Sequence, residues 1–245
     1  MADEGFRNLI LKYLDRDAVE RLQLRRVRLE QAQPLERLGA PIHEMFFIEE
    51  GLGSMTTCFA DGSQVESGIF GLESAIGAAG LMGIEQSANN IAVQMPGSAW
   101  VTSIALADRE FRRREHFHDL VLRYTQSQIV QAAQAAGCNA RHNVQQRLSR
   151  WLLACRDRVM SDLLLLTQEF LAIMLGVERP AVSVVAGKLQ NQSLIEYSRG
   201  KVRILDRPGL EAVACECYQV LRRERDEFIR FAQELTASSA LRNGS

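Results

Sequence analysis

The chain has 245 residues, 29 Lys/Arg against 30 Asp/Glu, a net charge of −1 and 47 % hydrophobic residues. That length suits two modest domains, each able to bury a core, and no apolar run approaches the roughly 20 residues that a membrane-spanning helix needs. A balanced charge argues neither for nor against a nucleic-acid partner, so local patterns along the chain have to decide.

The opening MADEGFRNLILKYL carries early acids and none of the order of an export signal, which predicts a cytoplasmic protein. Phe6, Leu9, Ile10, Tyr13, Leu14, Val19 and Leu22 recur at helical spacing and predict short helices that pack on the strands after them. From Val27 to about Thr102 the period changes to short β-like runs: Arg26 to Leu29, Glu44 to Ile48, Ser54 to Phe59, Val65 to Phe70, Ile91 to Gln94 and Ala99 to Ile104. Gly39-Ala40-Pro41, Gly51, Asp61-Gly62 and Pro96-Gly97 punctuate them, and many short strands with regular turns predict a double-sheet jelly roll. Gly77, Gly80 and Gly83 lie in GAAGLMG, which matches no phosphate-loop fingerprint and reads as a mobile connection.

Asp108 to about Ala136 returns to helical spacing through Phe117, Leu120, Val121 and Tyr124, then runs into Ala132-Ala133-Gln134-Ala135-Ala136, where small side chains permit close approach of a partner helix; Gly137 comes next as a hinge. Asn143 to Met160 reads as an amphipathic helix with Val144, Leu148, Trp151, Leu152 and Cys155 inward and its arginines outward. Asp162 to Leu166 is too short for a helix and reads as a strand.

Thr167 to Leu205 is the most informative stretch. Thr167 can cap a helix, Leu171 and Leu175 face inward one turn apart, Ala172 is small where a second helix must cross, and Gly176 can take the left-handed turn. Val177 plugs the corner, Glu178 opens the next helix, Pro180 is tolerated in its first turn, and Val182, Val185 and Leu189 recur inward. Arg179, Ser183, Val184, Gly187 and Lys188 form its outer face. This is the pattern of a helix-turn-helix, whose second helix enters the DNA major groove, although a plain helical hairpin shares the looser part of it. Leu194 to Tyr197 and Val202 to Leu205 then flank Ser198-Arg199-Gly200-Lys201 as a hairpin wing, with Arg199 and Lys201 at a tip that would meet phosphates. A final helix is predicted from Gly209 to about Leu235, and Ala237 to Ser245 reads as a frayed tail.

Charge obeys the same division. Residues 137 to 205 hold ten Lys/Arg against five Asp/Glu, a local +5 that leaves −6 for the rest. That suits a DNA-facing module on an acidic body, or a merely solvated basic face. Cys58, Cys138, Cys155, Cys215 and Cys217 form no paired framework and are expected as reduced thiols. Cys215 and Cys217, placed on one helix, would point about 200° apart, and no second ligand pair comes after them, so no metal is expected. His116 and His118 diverge on a helix, Glu49 and Glu50 face opposite sides of a strand, and no nucleophile elbow or His-Glu-x-x-His appears, so no enzyme is expected.

The run LTQEFLAIMLGVERPAVSVVAGKLQNQSLIEYSRGKVRI resembles the winged module that ends members of the cyclic AMP receptor protein and fumarate-nitrate regulator (Crp/Fnr) superfamily. FFIEEGLGSM, ADGSQVESGIFGLESAIG and NNIAVQMPGSAW resemble that superfamily's sensor domain, so the likeness covers most of residues 10 to 218. It implies an α+β chain in three parts: a cyclic-nucleotide-binding-like β-roll over 1–110, a dimerisation helix over 111–139, and a winged helix-turn-helix with a C-terminal helix over 140–245. Arg179 would stand where the family often places a guanine-reading arginine, with Ser183 and Val184 as further base contacts and Gln168, Lys188, Arg199 and Lys201 on phosphates. Pro180 and Val184 depart from the usual residues and imply a different operator.

The sensor departs too. The family's phosphate cassette corresponds to Gly71-Leu72-Glu73 through Ser87; Glu73 is kept, but Gln86 replaces the arginine, and an amide cannot make the charge-assisted bidentate contact a phosphate needs. The resemblance therefore implies a regulator that works without cyclic AMP and without a cofactor, with Glu73, Ser74, Gln86 and Ser87 as the candidate effector pocket. Its implied partners are a double-stranded DNA operator, a second copy of the chain, RNA polymerase and an unidentified small-molecule effector. The alternative is a protein-interaction adaptor that kept the fold and lost specific DNA binding.

Overall fold

A computed structural model describes residues 5–243, with side chains as far as residue 237. In chain order the elements are α1 (Leu9–Lys12), α2 (Arg16–Leu22), β1 (Arg25–Leu29), β2 (Pro34–Glu36), β3 (Glu44–Cys58), β4 (Gln64–Phe70), α3 (Ala78–Leu81), β5 (Asn90–Ser103), α4 (Ile104–Arg112), α5 (His116–Arg141), α6 (Val144–Val159), β6 (Leu163–Leu165), α7 (Gln168–Leu175), α8 (Arg179–Asn191), β7 (Ile195–Ser198), β8 (Lys201–Ile204), α9 (Arg207–Val213) and α10 (Cys217–Asn243). They divide into one unit of residues 1–53, 70–129 and 224–245 and another of 54–69 and 130–223. No single helix among the described residues is long and apolar enough to cross a membrane.

The first unit is built around β1, β2, β5 and the first part of β3, with β1 and β2 both antiparallel to β5, in a sheet of order β1-β5-β3-β4. Strand β1 pairs with β5 from Arg25↔Val101 to Leu29↔Gly97. Helix α1 starts where the Asn8 side chain accepts from Ile10 N at 3.0 Å, while its amide donates to the Ser74 carbonyl at 2.9 Å. Ile10, Leu11, Leu22, Met45, Phe47, Phe117, Leu120, Tyr124 and Phe228 meet in its core.

Four expectations change here. The runs Glu44 to Ile48 and Ser54 to Phe59 form one strand, as do Ile91 to Gln94 and Ala99 to Ile104. Gly51 and Gly97, read as turn punctuation, instead mark where two backbones pass: a Cβ on Gly51 would lie 2.4 Å from the Met95 carbonyl oxygen, and one on Gly97 2.0 Å from that of Glu50. GAAGLMG holds the short helix α3, with Ala78 and Leu81 buried, where a loose connection was expected. The helix expected from Asp108 breaks at Arg114, whose φ is 58°, and then runs through Gly137 without a hinge.

The second unit joins the three-stranded sheet β6-β8-β7 to α6, α7, α8 and α9. Leu163↔Arg203 to Leu165↔Lys201 pair β6 with β8, so the short leucine run is the expected strand. Leu148, Trp151, Leu152, Leu164, Leu171, Val182, Leu189, Ile195, Val202 and Leu210 are its buried apolar residues. Two expectations change. Arg147, Arg150 and Arg158 of α6 are 8 %, 6 % and 9 % exposed, because α6 is covered on more than its apolar stripe. The C-terminal helix starts at Arg207, capped by Asp206, and breaks at Ala214, which is extended, so Cys215 precedes the helix that Cys217 begins. Helix α10 continues to Asn243; of the expected frayed tail, Gly244 and Ser245 lie outside the described residues.

Candidate nucleic-acid interface

Helices α7 and α8 meet at 106°, within the roughly 90–120° range of a helix-turn-helix. The Thr167 hydroxyl accepts from Phe170 N at 3.1 Å and starts α7. Gly176, at φ 59° and ψ 44°, ends it in the left-handed region, and Val177 N then returns to the Ala172 carbonyl at 3.0 Å. A side chain at Gly176 would also meet Val65, 2.8 Å from its Cγ2. Pro180 lies in the first turn of α8, where its missing N–H costs nothing, and Val182, Val185, Ala186 and Leu189 are buried.

The opposite face of α8 is open. Arg179, Pro180, Val184, Gly187 and Lys188 are exposed, Val184 to 59 %. The wing turn places Arg199 at φ 47° and Gly200 at φ 77°, and both Arg199 and Lys201 are exposed. Tyr197 N donates to Gln190 Oε1 at 2.9 Å and ties the wing to the end of α8. Two of the expected contact residues hold each other: the Ser183 hydroxyl donates to Gln168 Oε1 at 2.7 Å. A base or phosphate has to compete with that bond. Tyr197, not singled out in the sequence, is half-buried beside Gln168 and Arg179, and burial raises its pKa; an aromatic in a β-run gave only the strand signal.

Helix α6 holds this module from behind. Arg147 donates to the Leu175 carbonyl in the last turn of α7, and burial lowers its pKa. Trp151 Nε1 donates to Glu66 Oε1 on β4 at 2.7 Å. Glu66 is enclosed, and desolvation pushes its pKa up to about 8 against the Trp151 hydrogen bond and the charges of Arg150 and Arg158. Arg158 donates to Gln131 Oε1 at 2.8 Å. Tyr218 donates to Asp157 Oδ2 at 2.7 Å, and Arg207 reaches Asp157 Oδ1 at 3.3 Å, which joins α6 to α9 and α10. The ten cations behind the local +5 are thus divided: Arg141, Arg179, Lys188, Arg199, Lys201 and Arg203 are exposed, Arg156 is half-buried, and Arg147, Arg150 and Arg158 are enclosed.

A second surface runs along α5. Phe117, Leu120, Val121, Tyr124, Gln131 and Cys138 are buried, whereas Leu122, Gln126, Ile129, Ala133, Ala136 and Ala140 are exposed. These six alternate spacings of four and three and so lie along one face of the helix.

The expected effector residues do not share one opening. Glu73 and Ser74 are 7 % and 0 % exposed, beneath the Asn8 cap of α1. Gln86 is exposed and bridges to Pro41. Ser87 is buried and donates to Glu36, whose carboxyl burial raises in pKa. Ser87 and Glu36 line a cavity of about 270 Å³ with Leu35, Ile42, His43 and Phe46. Of the residues weighed for catalysis, Glu49 accepts from Arg7 N and Asn8 N at 3.0 Å each, and His118 meets Asp119 at 2.9 Å.

Residues 146–213 match the family model described as the Crp-like helix-turn-helix domain. No curated protein sequence matches the chain. Among solved structures, FixK2 from Bradyrhizobium japonicum is 12 % identical with a TM-score of 0.68, over 78 % of this chain and 98 % of that one. The c-di-GMP-responsive global regulator CLP of Xanthomonas campestris is 18 % identical with a TM-score of 0.64, over 78 % of this chain and 100 % of that one. A transcriptional regulator of the Crp/Fnr family from Eubacterium rectale is 15 % identical with a TM-score of 0.62, over 82 % of this chain and 94 % of that one. The chain has the fold of Crp/Fnr-type regulators and carries a Crp-like helix-turn-helix, as its sequence led us to expect.

Proposed function

We propose that the chain is a sequence-specific transcription regulator of the Crp/Fnr type that reads a twofold DNA operator as a homodimer and works without cyclic AMP. The observation that carries this reading is the exposed N-terminal end of α8, with Arg179 unburied and the Arg199 and Lys201 wing tip on the following hairpin. An arginine there can bind guanine O6 and N7 with both arms of its guanidinium, and the lysines and the wing arginine can neutralise phosphates. Val184 offers apolar contact to a thymine methyl.

Dimerisation is proposed through the Leu122, Gln126, Ile129, Ala133, Ala136 and Ala140 seam of α5, which would set two α8 helices one DNA turn apart, about 34 Å. Gln86, exposed where the family's phosphate-binding arginine would stand, supports independence from cyclic AMP. Any effector would then enter by another route, and the Glu36 and Ser87 cavity is the candidate.

Fluorescence anisotropy against genomic fragments at several salt concentrations tests the proposal. Specific complexes are expected to persist at salt where random-sequence binding has faded. Equal affinity for every fragment at every salt concentration would instead favour an interaction adaptor, the reading that the exposed apolar Val184 and Pro180 suit best. Cyclic AMP is expected to leave the titration unchanged.

A further inference from the structure

Outside the DNA-facing surface, four side chains converge on one point. Cys138 is in the last turn of α5 and His142 directly follows the helix, where His142 N still donates to the Cys138 carbonyl at 3.0 Å and keeps the two on one side. Cys215 stands in the extended break after α9, and Cys217 opens α10. Their donor atoms all lie within 4.8 Å of one another. Cys138 Sγ is 3.5 Å from Cys215 Sγ, and Cys217 Sγ is 3.5 Å from His142 Nδ1. The three cysteines are 0 %, 3 % and 1 % exposed.

We propose that Cys138, His142, Cys215 and Cys217 form a closed, four-coordinate site for a single thiophilic divalent ion of the zinc class. Tetrahedral zinc, with bonds of about 2.3 Å to sulfur and about 2.0–2.1 Å to nitrogen, holds neighbouring donors roughly 3.5–3.8 Å apart. The Cys217 and His142 pair at 3.5 Å has that spacing and the Cys138 and Cys215 pair at 3.5 Å is close to it, so small side-chain rotations bring the set to the ion. Three thiolates and an imidazole select zinc over calcium or magnesium, which take oxygen ligands. A cluster of several irons would spread its ligand sulfurs further than one shared point allows.

The surroundings match a metal site beyond its four donors. His142 Nε2 lies 3.2 Å from Glu216 Oε1, so the carboxylate fixes the tautomer that leaves Nδ1 free to bind the ion. Gln134 Nε2 donates to Cys217 Sγ at 3.0 Å. Such N–H groups stabilise bound thiolate sulfur, and they are the outer partners that orient ligands. Three thiolates and a dication leave one net negative charge, and both Arg147 and Arg150 exert their positive charge on Cys138. With all four positions taken by protein, the ion has no open position for substrate, so its role is structural. It would pin the connection between α9 and α10 to the end of α5. The donor set stands whether or not the DNA-binding proposal does.

The test is metal uptake by the full chain, purified under reducing conditions, stripped with chelator and titrated with cobalt(II). The expected result is one equivalent bound, with intense thiolate-to-cobalt charge transfer and the visible bands of a tetrahedral centre, displaced by zinc(II). Metal should also protect Cys138, Cys215 and Cys217 from alkylation while exposed Cys58 still reacts. Cys217→Ser and His142→Ala should lose most of the uptake, and Cys58→Ser should keep all of it. Should the first two fail to fold, His142→Cys retains four donors and should strengthen the charge-transfer band. Uptake below a tenth of an equivalent by reduced wild-type protein, a weak octahedral cobalt spectrum, or equal loss in Cys58→Ser would each overturn the proposal. So would a Cys138–Cys215 disulfide as the sole chemistry of the cluster.

Discussion

Arg179 and Arg199 differ from Arg147, Arg150 and Arg158 in nothing but surroundings, and those surroundings are opposite. The first pair stands in water on the outer face of α8 and on the wing turn. The second set is enclosed along α6, where Arg147 holds the Leu175 carbonyl and Arg158 holds Gln131. An exposed cation keeps its hydration and is available to a ligand, whereas an enclosed one is bound to the structure that covers it. A count of charge along a segment therefore measures a binding face only after the enclosed cations are subtracted.

That contrast predicts that changes along α6 alter stability and changes on α8 alter binding. The largest effect is expected for Trp151→Ala, which removes a fully buried indole and leaves Glu66 without its donor; denaturant unfolding should show a loss of about 3–5 kcal/mol, with DNA affinity of the folded fraction unchanged. Glu66→Gln comes next. Its carboxyl titrates near 4.5 when unfolded but at about 8 when folded. The folded state thus binds the extra proton between those values, and stability falls as pH rises from about 4.5 through about 8. The amide variant keeps an acceptor for Trp151, so its stability should lose that slope and exceed wild type at pH 8 by a few kcal/mol; equal pH profiles for the two proteins would show that Glu66 ionises freely.

On the open face, Arg179→Ala should weaken cognate binding by about 1–3 kcal/mol and random-sequence binding far less, with no change in unfolding midpoint. A drop in midpoint as large as that of an α6 variant would break the comparison. The smallest effect is expected for Lys201→Ala: a similar loss on every DNA sequence, read as a decrease of about 1 in the slope of log affinity against log salt.

The helix-turn-helix could be read in the sequence because each of its requirements falls within a few residues: the Thr167 cap, Ala172 at the crossing, Gly176 at the turn, Pro180 in a first turn and Arg199-Gly200 in a tight hairpin. Local periodicity could not tell that Gly51 and Gly97 stand where two neighbouring strands approach closely, since the turn reading and the close-approach reading ask for the same residue. Nor could it place the candidate effector residues, which contacts with segments far along the chain keep apart: Glu73 and Ser74 lie beneath Asn8, and Ser87 lies beside Glu36.

The thiol and imidazole cluster shows the same limit. Cys215 and Cys217 seemed to diverge because they were set on one helix, and their partners were sought after them rather than 77 residues before. Sequence alone determined the helices and strands from Asn143 to Leu205, which face of α8 is apolar, and where a cation would stand at its start, because those depend on spacing along one chain segment. Tertiary structure decided which arginines remain in water, which glycines lie between backbones, and which four donors meet, because burial and convergence depend on segments that the chain brings together only when it folds.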